Sequence, residues 1–426
     1  MTQTVLVLNS GSSSLKYQLV DPTSGQSVAG GIVERIGEST GSATHQWGES
    51  ETVRDAPVPD HGAALRLVLD LFDETGPSLA DAGITAVGHR VVHGGAVFTE
   101  PTPVDDDVVT AVRDLIPLAP LHNPAAVKGI EVARELLSHL PHVAVFDTAF
   151  FAPLPAAAAT YALDRKVTAE HGIRRYGFHG TSHGFVSSAV TAHPAVVAKL
   201  AAEGRGPETL RQVVLHLGNG ASASAVLGGR PVDTSMGFTP LEGLVMGTRP
   251  GDVDPGIVFH LVRAGMSAPD VDTLLNKQSG LLGMSGVNDM REVRKLADSG
   301  DADARLALEV YLHRLRKYVG AYAAVLGGID VLTFTAGVGE NDHRVRSGVV
   351  RDLKFLGLSI DPAANEARSD EARVVSMTPG PRDGSEPLAA LRQGQEPPVE
   401  TPLVMVVPTN EELAIARQTM ELVEGS

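Results

Sequence analysis

Residues 5–20, VLVLNSGSSSLKYQLV, run an apolar segment into a Gly/Ser turn, place one lysine and resume with alternating apolar residues. This spacing predicts strand, tight loop, strand. Glycine lets the backbone approach a ligand closely, serine hydroxyls and backbone N–H groups can cradle phosphate oxygens, and Lys16 adds a cation. A phosphate-binding hairpin is one reading and a plain β-hairpin the other. A Walker loop is excluded, because GxxxxGK[ST] is absent and β-patterned residues follow the lysine. The plan returns at 213–229 in VVLHLGNGASASAVLGG, and at 331–341 VLTFTAGVGEN ends another apolar strand in glycines. Three such loops in one chain suggest a shared nucleotide site, and the two openings hint at an internal duplication.

At 426 residues the chain exceeds the usual size of a single core, so two domains are expected. The formal charge of −16 disfavours nucleic acid and anionic membrane as nonspecific partners, so local cations must meet any anionic ligand. The absence of cysteine excludes disulfides, thiolate chemistry and Cys-ligated metals, and fits a cytoplasmic protein. MTQTVLVLNSG has no signal-peptide pattern, and its apolar run is too short to span a bilayer.

Caps and periodicity predict helices from Asn123-Pro124 to about Leu137, from Asp254-Pro255, over 301–326 closed by Gly327 and Gly328, and from Asn410 to about Val423. Strands are expected at 85–92, 142–147 and 403–407, and the alternation argues for an α/β fold with mixed or parallel sheets. FFAPLPAAAAT predicts a hinge near 148–158, and the Pro/Gly-rich stretch 379–400 reads as a surface insertion.

Several residues are candidates for chemistry. In AVGHRVVHGG, strand alternation puts Arg90 and Val92 on one face, a cation beside a small apolar wall. Arginine can hold a carboxylate or phosphoryl group bidentately, or simply pair with an acidic residue at a strand edge. Arg249 in MGTRPGD is a second loop arginine able to close on an anion. Asp147 ends the strand VAVFD, where it can line a ligand crevice or cap the next segment. His179 and His183, four apart in YGFHGTSH, raise zinc, although no HExxH glutamate accompanies them; His179 can equally donate to a phosphoryl oxygen. His216 sits beside the second glycine loop, as a ligand group or a core histidine. Glu411 falls in the first turn of the last helix, where the dipole favours a carboxylate and where magnesium can be held.

Taken in order, NSGSSSLK, GHRVVHGG, PLHNP, VFDTAF, YGFHGTSH, HLGNG, TSMGFTPLEGLVMGTRPGDVDP, FTAGVGEN and PTNEEL resemble the acetate kinase family over nearly the whole chain. The resemblance implies a duplicated ribonuclease H-like fold with a nucleotide cleft between two domains. The first would span 1–150 and be joined by the C-terminal helix 410–426; the second would span 151–409 with an insertion at 381–398. It implies magnesium at Asn9 and Glu411, with Mn2+ able to substitute, and phosphate contacts from Lys16, His216, Leu217, Gly218, Asn219 and Gly220. Nucleotide contacts are implied for Asp289, Met290, Arg291, Gly337, Val338, Gly339, Glu340 and Asn341. Arg90 and Arg249 would grip acetate and the moving phosphoryl group, His179 would act with Arg249 in the transition state, and Asp147 would be the essential carboxylate. Val92, Leu121, Phe178 and Pro240 would enclose the methyl group. The chain departs from the family pattern at Phe151, where histidine is usual, in GVNDMR, one residue short, and at 381–398.

The implied activity is reversible transfer of the ATP γ-phosphoryl group to acetate, in a homodimer. A propionate or general short-chain acyl kinase is the near alternative, because one methylene separates substrates weakly. An ATPase module of the Hsp70 or actin kind is the alternative of another class; it needs neither paired arginines nor an apolar wall.

Overall fold

The apolar run that opens the chain becomes β1 (Thr4–Ser10), and Val5, Leu6, Val7 and Leu8 are all buried because both faces of the strand are covered. The structure is a computed structural model that describes residues 3–78, 82–377 and 401–425. The expected insertion at 381–398 lies outside the described residues. The chain divides into two units: Met1–Ala152 with Phe178–Ser182 and Asn410–Ser426, and Pro153–Gly177 with His183–Thr409.

In the first unit, β1 is joined by β2 (Ser14–Val20), β3 (Ser27–Glu34), β4 (Ser42–Trp47), β5 (Ser50–Asp55), β6 (Ile84–Val91), β7 (Thr102–Pro103) and β8 (His142–Phe146). Their order is β5-β4-β3-β2-β1-β6-β8-β7, with β1, β6 and β8 parallel and the other pairings antiparallel. The second unit holds β9 (Arg211–Leu217), β10 (Ala221–Leu227), β11 (Arg230–Thr234), β12 (Val331–Thr335), β13 (Arg373–Val374) and β14 (Leu403–Val406) in the order β11-β10-β9-β12-β14-β13. Here β9, β12 and β14 are parallel and the rest antiparallel. Each sheet therefore carries an antiparallel hairpin that feeds a three-stranded parallel core. The repeat lives in topology rather than in letters.

Helices cover these sheets. The helix Glu411–Glu424 lies on β6 and β1, and only glycine fits at Gly88, where a Cβ would stand 2.7 Å from Thr419 Oγ1. The long helix Ala302–Leu326 starts at its cap Asp301 and ends at Gly327, whose left-handed φ of 68° stops it at no steric cost. Asp254 caps Pro255–Arg263 as the sequence predicts. Asn123 opens the helix Asn123–Leu136 as expected, and its buried amide accepts from His93 N and donates to His93 O, pinning the strand end after β6. One expectation is corrected: the glycines of FTAGVGEN form not a loop but the short helix Ala336–Asn341, which Ala336 enters at φ 63°. Among the described residues no single helix is long and apolar enough to cross a membrane; the consecutive helices Gly180–Ala192 and Pro194–Ala202 reach that length only together and are bent by 59°.

Candidate active site

The carboxyl end of the parallel core in the first unit gathers its charge. Arg90, on β6, donates through Nε and Nη2 to Asp147 at 3.1 and 2.7 Å, a two-pronged pair that fixes the plane of the guanidinium. Asp147 follows β8 and is buried to 1% exposure, so it has no solvent to replace that partner. Glu411, opening the last helix, puts Oε2 at 3.7 Å from Arg90 Nη2. Burial raises the Glu411 carboxyl, and Asp147 adds to this while Arg90 opposes it. The acid neighbours of Arg90 hold its pKa above the usual arginine value against the opposing effect of burial. Asn9 pairs in register with Lys16 across β1 and β2, and Lys16 forms an ion pair with Glu412. His61 Nε2 lies 2.8 Å from the Gly11 carbonyl and secures the Gly/Ser turn, a contact the sequence did not signal.

The segment 178–182 belongs to the same unit. Gly180 N donates to Asp147 O at 2.8 Å, and a Cβ at Gly180 would stand 2.1 Å from that oxygen. His179, held just before it, has φ 58°, left-handed backbone that a side chain of this size adopts at a cost of roughly 1–3 kcal/mol. Phe178 is buried and meets His93 edge to face at 5.3 Å. Val92 is half-buried, and Leu121 is 44% exposed.

In the second unit, the turn Gly218–Gly220 joins β9 to β10, closed by Gly218 N donating to Gly220 O, while Gly247 N donates to Asn219 O at 2.8 Å. Gly218 and Asn219 border a cavity of about 770 Å³, with Asp289, Met290, Arg291, Gly337, Val338 and Asn341 around it. That volume is within the range of nucleotide-sized pockets. Asp289 caps the helix Met290–Asp298 and pairs with Arg291 at 2.6 Å, which holds its carboxyl down at about 2. The cavity lining does not include His216, Leu217, Gly220, Gly339 or Glu340. Glu340 instead accepts from the backbone of Ala336 and of Thr409, tying the short helix to the chain after β14. Asn288, Arg294, Tyr311, Asp342 and Arg344 also line the cavity. Sequence reasoning missed them because they come from three helices and the residues that precede two of these, without a motif. Arg249 Nη1 donates to Pro240 O at 2.5 Å, and burial lowers its pKa.

His183 does not pair with His179 as a metal ligand. Its two ring nitrogens meet Ser222 and Ser224 hydroxyls at 2.7 and 2.8 Å, and the ring is fully buried. Among the described residues there is no group of three or more His, Cys, Asp or Glu placed to hold a metal. Asn9 and Glu411 offer hard oxygen donors, and a carboxylate that burial disfavours gains from a nearby divalent cation, so these residues fit magnesium held by few protein ligands and by phosphates.

Two sheets of this topology, a Gly/Asn turn beside a nucleotide-sized cavity, and an arginine–carboxylate cluster define a two-unit α/β protein of the nucleotide-dependent transferase type. The chain belongs to the acetokinase family, whose pattern matches residues 4–382. It is 54% identical over 422 residues to a protein named acetate kinase from Clavibacter michiganensis subsp. michiganensis, covering 99% of both chains. A Streptomyces avermitilis protein of the same name is 54% identical, with 98% of this chain and 97% of that one covered. Among solved structures, Porphyromonas gingivalis acetate kinase superposes with a TM-score of 0.85 at 40% identity, covering 99% of this chain and all of the other (100%). A propionate kinase from Francisella tularensis gives the same TM-score, 0.85, at 37% identity, covering 98% of this chain and 99% of that one.

Proposed function

We propose that this protein transfers the γ-phosphoryl group of ATP reversibly and in line to acetate, giving acetyl phosphate and ADP. The observation that carries this reading is the 54% identity, over 99% of both chains, to a relative named acetate kinase. The chemistry of the residues supports it. Acetate is ionised at neutral pH, so its oxygen attacks without surrendering a proton and no strong general base is needed. The obstacle is the negative charge spread over the phosphoryl oxygens and two anionic reactants brought together. Arg90, locked by Asp147, would bind the acetate carboxylate. Arg249 and His179 would donate to the phosphoryl oxygens, worth most where the transition state concentrates charge. Asp147, already engaged by Arg90, orients that guanidinium rather than taking a proton.

ATP would sit with its phosphates toward Lys16 and the turn Gly218–Gly220, and with its nucleoside against Asp289–Arg291 and the helix of Gly337–Asn341. Asn9 and Glu411 would hold magnesium, with Mn2+ able to substitute; when bound, the cation neutralises phosphate charge and helps align the reacting groups. Val92, Leu121, Phe178 and Pro240 would enclose the methyl group. Val92 narrows the space beside Arg90, which favours acetate over propionate; the structural likeness to a propionate kinase keeps short-chain acyl transfer as the second reading. We further place the protein in the cytoplasm as a homodimer. The helix Pro255–Arg263 has no buried residue and exposes Ile257, Phe259 and Val262, an apolar face suited to a second copy.

The test is ADP release from magnesium-ATP with and without acetate, and ATP formation from acetyl phosphate and ADP. Acetate-dependent release and the reverse reaction are expected. Release that ignores acetate, with no reverse reaction, overturns the reading.

A further inference from the structure

Arg249 differs from Arg90 in what holds it. Among the described residues its guanidinium makes one hydrogen bond, from Nη1 to the Pro240 carbonyl, and no ion pair. Most of its N–H donors are left for an anion, so that single carbonyl decides where the group points. Pro240 in turn lies in a stretch, 235–254, that belongs to no helix or strand. Backbone outside a ladder must find its hydrogen-bond partners elsewhere.

For this stretch they come from the segment before Phe178. The Tyr161 hydroxyl accepts from Phe238 N at 3.1 Å and donates to Glu242 Oε2, so one oxygen ties together both ends of the five residues that have Pro240 at their centre. Behind it, Arg175 Nη2 donates to Glu242 Oε1 at 2.7 Å and Nη1 donates to the Thr234 and Met236 carbonyls, each at 3.1 Å. The same guanidinium lies 5.3 Å from the centre of the Tyr161 ring. Tyr176 N adds a bond to Gly237 O at 3.0 Å. Gly237 leaves no slack here, because a Cβ on it would overlap both the Tyr161 hydroxyl and Glu242 Oε2. Burial raises the pKa of the Tyr161 hydroxyl, so it stays a donor in a neutral assay. All of these groups lie in the second unit.

We propose that Tyr161 is a positioning residue for phosphoryl transfer: its hydroxyl, backed by Glu242 and Arg175, fixes residues 238–242 so that the Pro240 carbonyl aims the Arg249 guanidinium. This rests on the phosphotransferase reading above. Tyr161 touches no reacting atom in this account and acts only through Arg249. Its removal therefore matters only while Arg249 is present.

The experiment measures phosphoryl transfer from magnesium-ATP to acetate by the wild type, Tyr161→Phe, Arg249→Ala and the double variant. Tyr161→Phe keeps the ring against Arg175 and removes only the hydroxyl. It should lower kcat by about 10-fold, below the roughly 100-fold that a displacement of about 1 Å can cost, with ATP KM little changed. In the Arg249→Ala background the same substitution should cost almost nothing further, because groups that act as a unit are not additive. An unchanged kcat in the single variant overturns the proposal. So does an equal fall in both backgrounds, which is what a loss of folded protein alone would give. If Tyr161→Phe does not fold, Glu242→Gln, which keeps the side-chain volume and one acceptor oxygen, carries the same cycle with the same expectations. A wild-type protein that releases no ADP in response to acetate defeats the phosphotransferase reading instead. The rate at which phenylglyoxal modifies the half-buried Arg249, read by peptide mass spectrometry, then decides the role of Tyr161. It should rise several-fold in Tyr161→Phe as the guanidinium is freed from Pro240, and an equal rate in the two proteins overturns the proposal.

Discussion

Asp147 and Glu411 approach the same nitrogen of one guanidinium, Arg90 Nη2, and their distances from it give them different tasks. Asp147 spends both oxygens on Arg90, whereas Glu411 stands 3.7 Å away with its carboxyl raised by burial. A carboxyl whose folded value exceeds its unfolded one, about 4.3, costs stability once pH rises past the unfolded value, and the whole cost is present above the folded one. Glu411→Gln should therefore melt at or above the wild type at pH 7 in metal-free buffer, lose that advantage near pH 4, and lose magnesium-dependent turnover; calorimetry alongside an ADP assay checks both. Arg249→Ala should lower kcat by about 10²–10³-fold, the scale for losing one preorganised donor, with ATP KM little changed. Equal losses in both would contradict its proposed role. Arg90 and Asp147 were legible because strand alternation and a strand-terminal carboxylate are local signals. That the two form one bidentate unit was not, since their 57-residue separation carries no pattern.

At the scale of elements, the first site depends on how tightly the start of the helix Gly180–Ala192 approaches the end of β8. Gly180→Ala would drive a Cβ into Asp147 O and displace His179 beside it. The expected result is a stability loss of about 1–3 kcal/mol by denaturant unfolding, with a fall in kcat that exceeds any fall in folded fraction. Across β6 and β8, His89 and His142 stack and share a 2.9 Å hydrogen bond, and His142 Nε2 donates to Leu137 O. His142 Nδ1 is then the acceptor and His89 Nε2 the donor. Burial lowers both pKa values, so below about 6.5 the unfolded chain binds more protons and stability falls with pH. The melting temperature should drop as pH falls from 7 to 5, and His89→Gln, which retains a donor with one titrating group fewer, should flatten that slope. Strands and capped helices were readable because their periodicities and caps are local. The glycines of FTAGVGEN misled: their helical turn is held by Glu340 accepting from Ala336 N and Thr409 N, a tie spanning 69 residues.

For the whole molecule, the hairpin and three-stranded parallel core recur in both sheets. The glycine-turn hairpins at 5–20 and 213–229 signal this repeat, whereas β3 to β5 escaped notice because mixed polar strands lack a buried run. Half of the cavity lining stayed hidden for a related reason, since Arg294 and Tyr311 become neighbours of the glycine turns only after the helices pack. If the face of Ile257, Phe259 and Val262 joins two copies, Phe259→Glu should convert a dimer to a monomer in sedimentation, and a wild-type monomer would discard that surface as the interface. The most direct test of the carboxylate phosphotransferase reading is hydroxylamine trapping of the acyl phosphate, with magnesium-ATP and acetate, propionate, butyrate or glycerol as acceptor. Hydroxamate should form with the highest kcat/KM for acetate and not at all with glycerol; ADP release without hydroxamate from any acid would contradict phosphoryl transfer to a carboxylate.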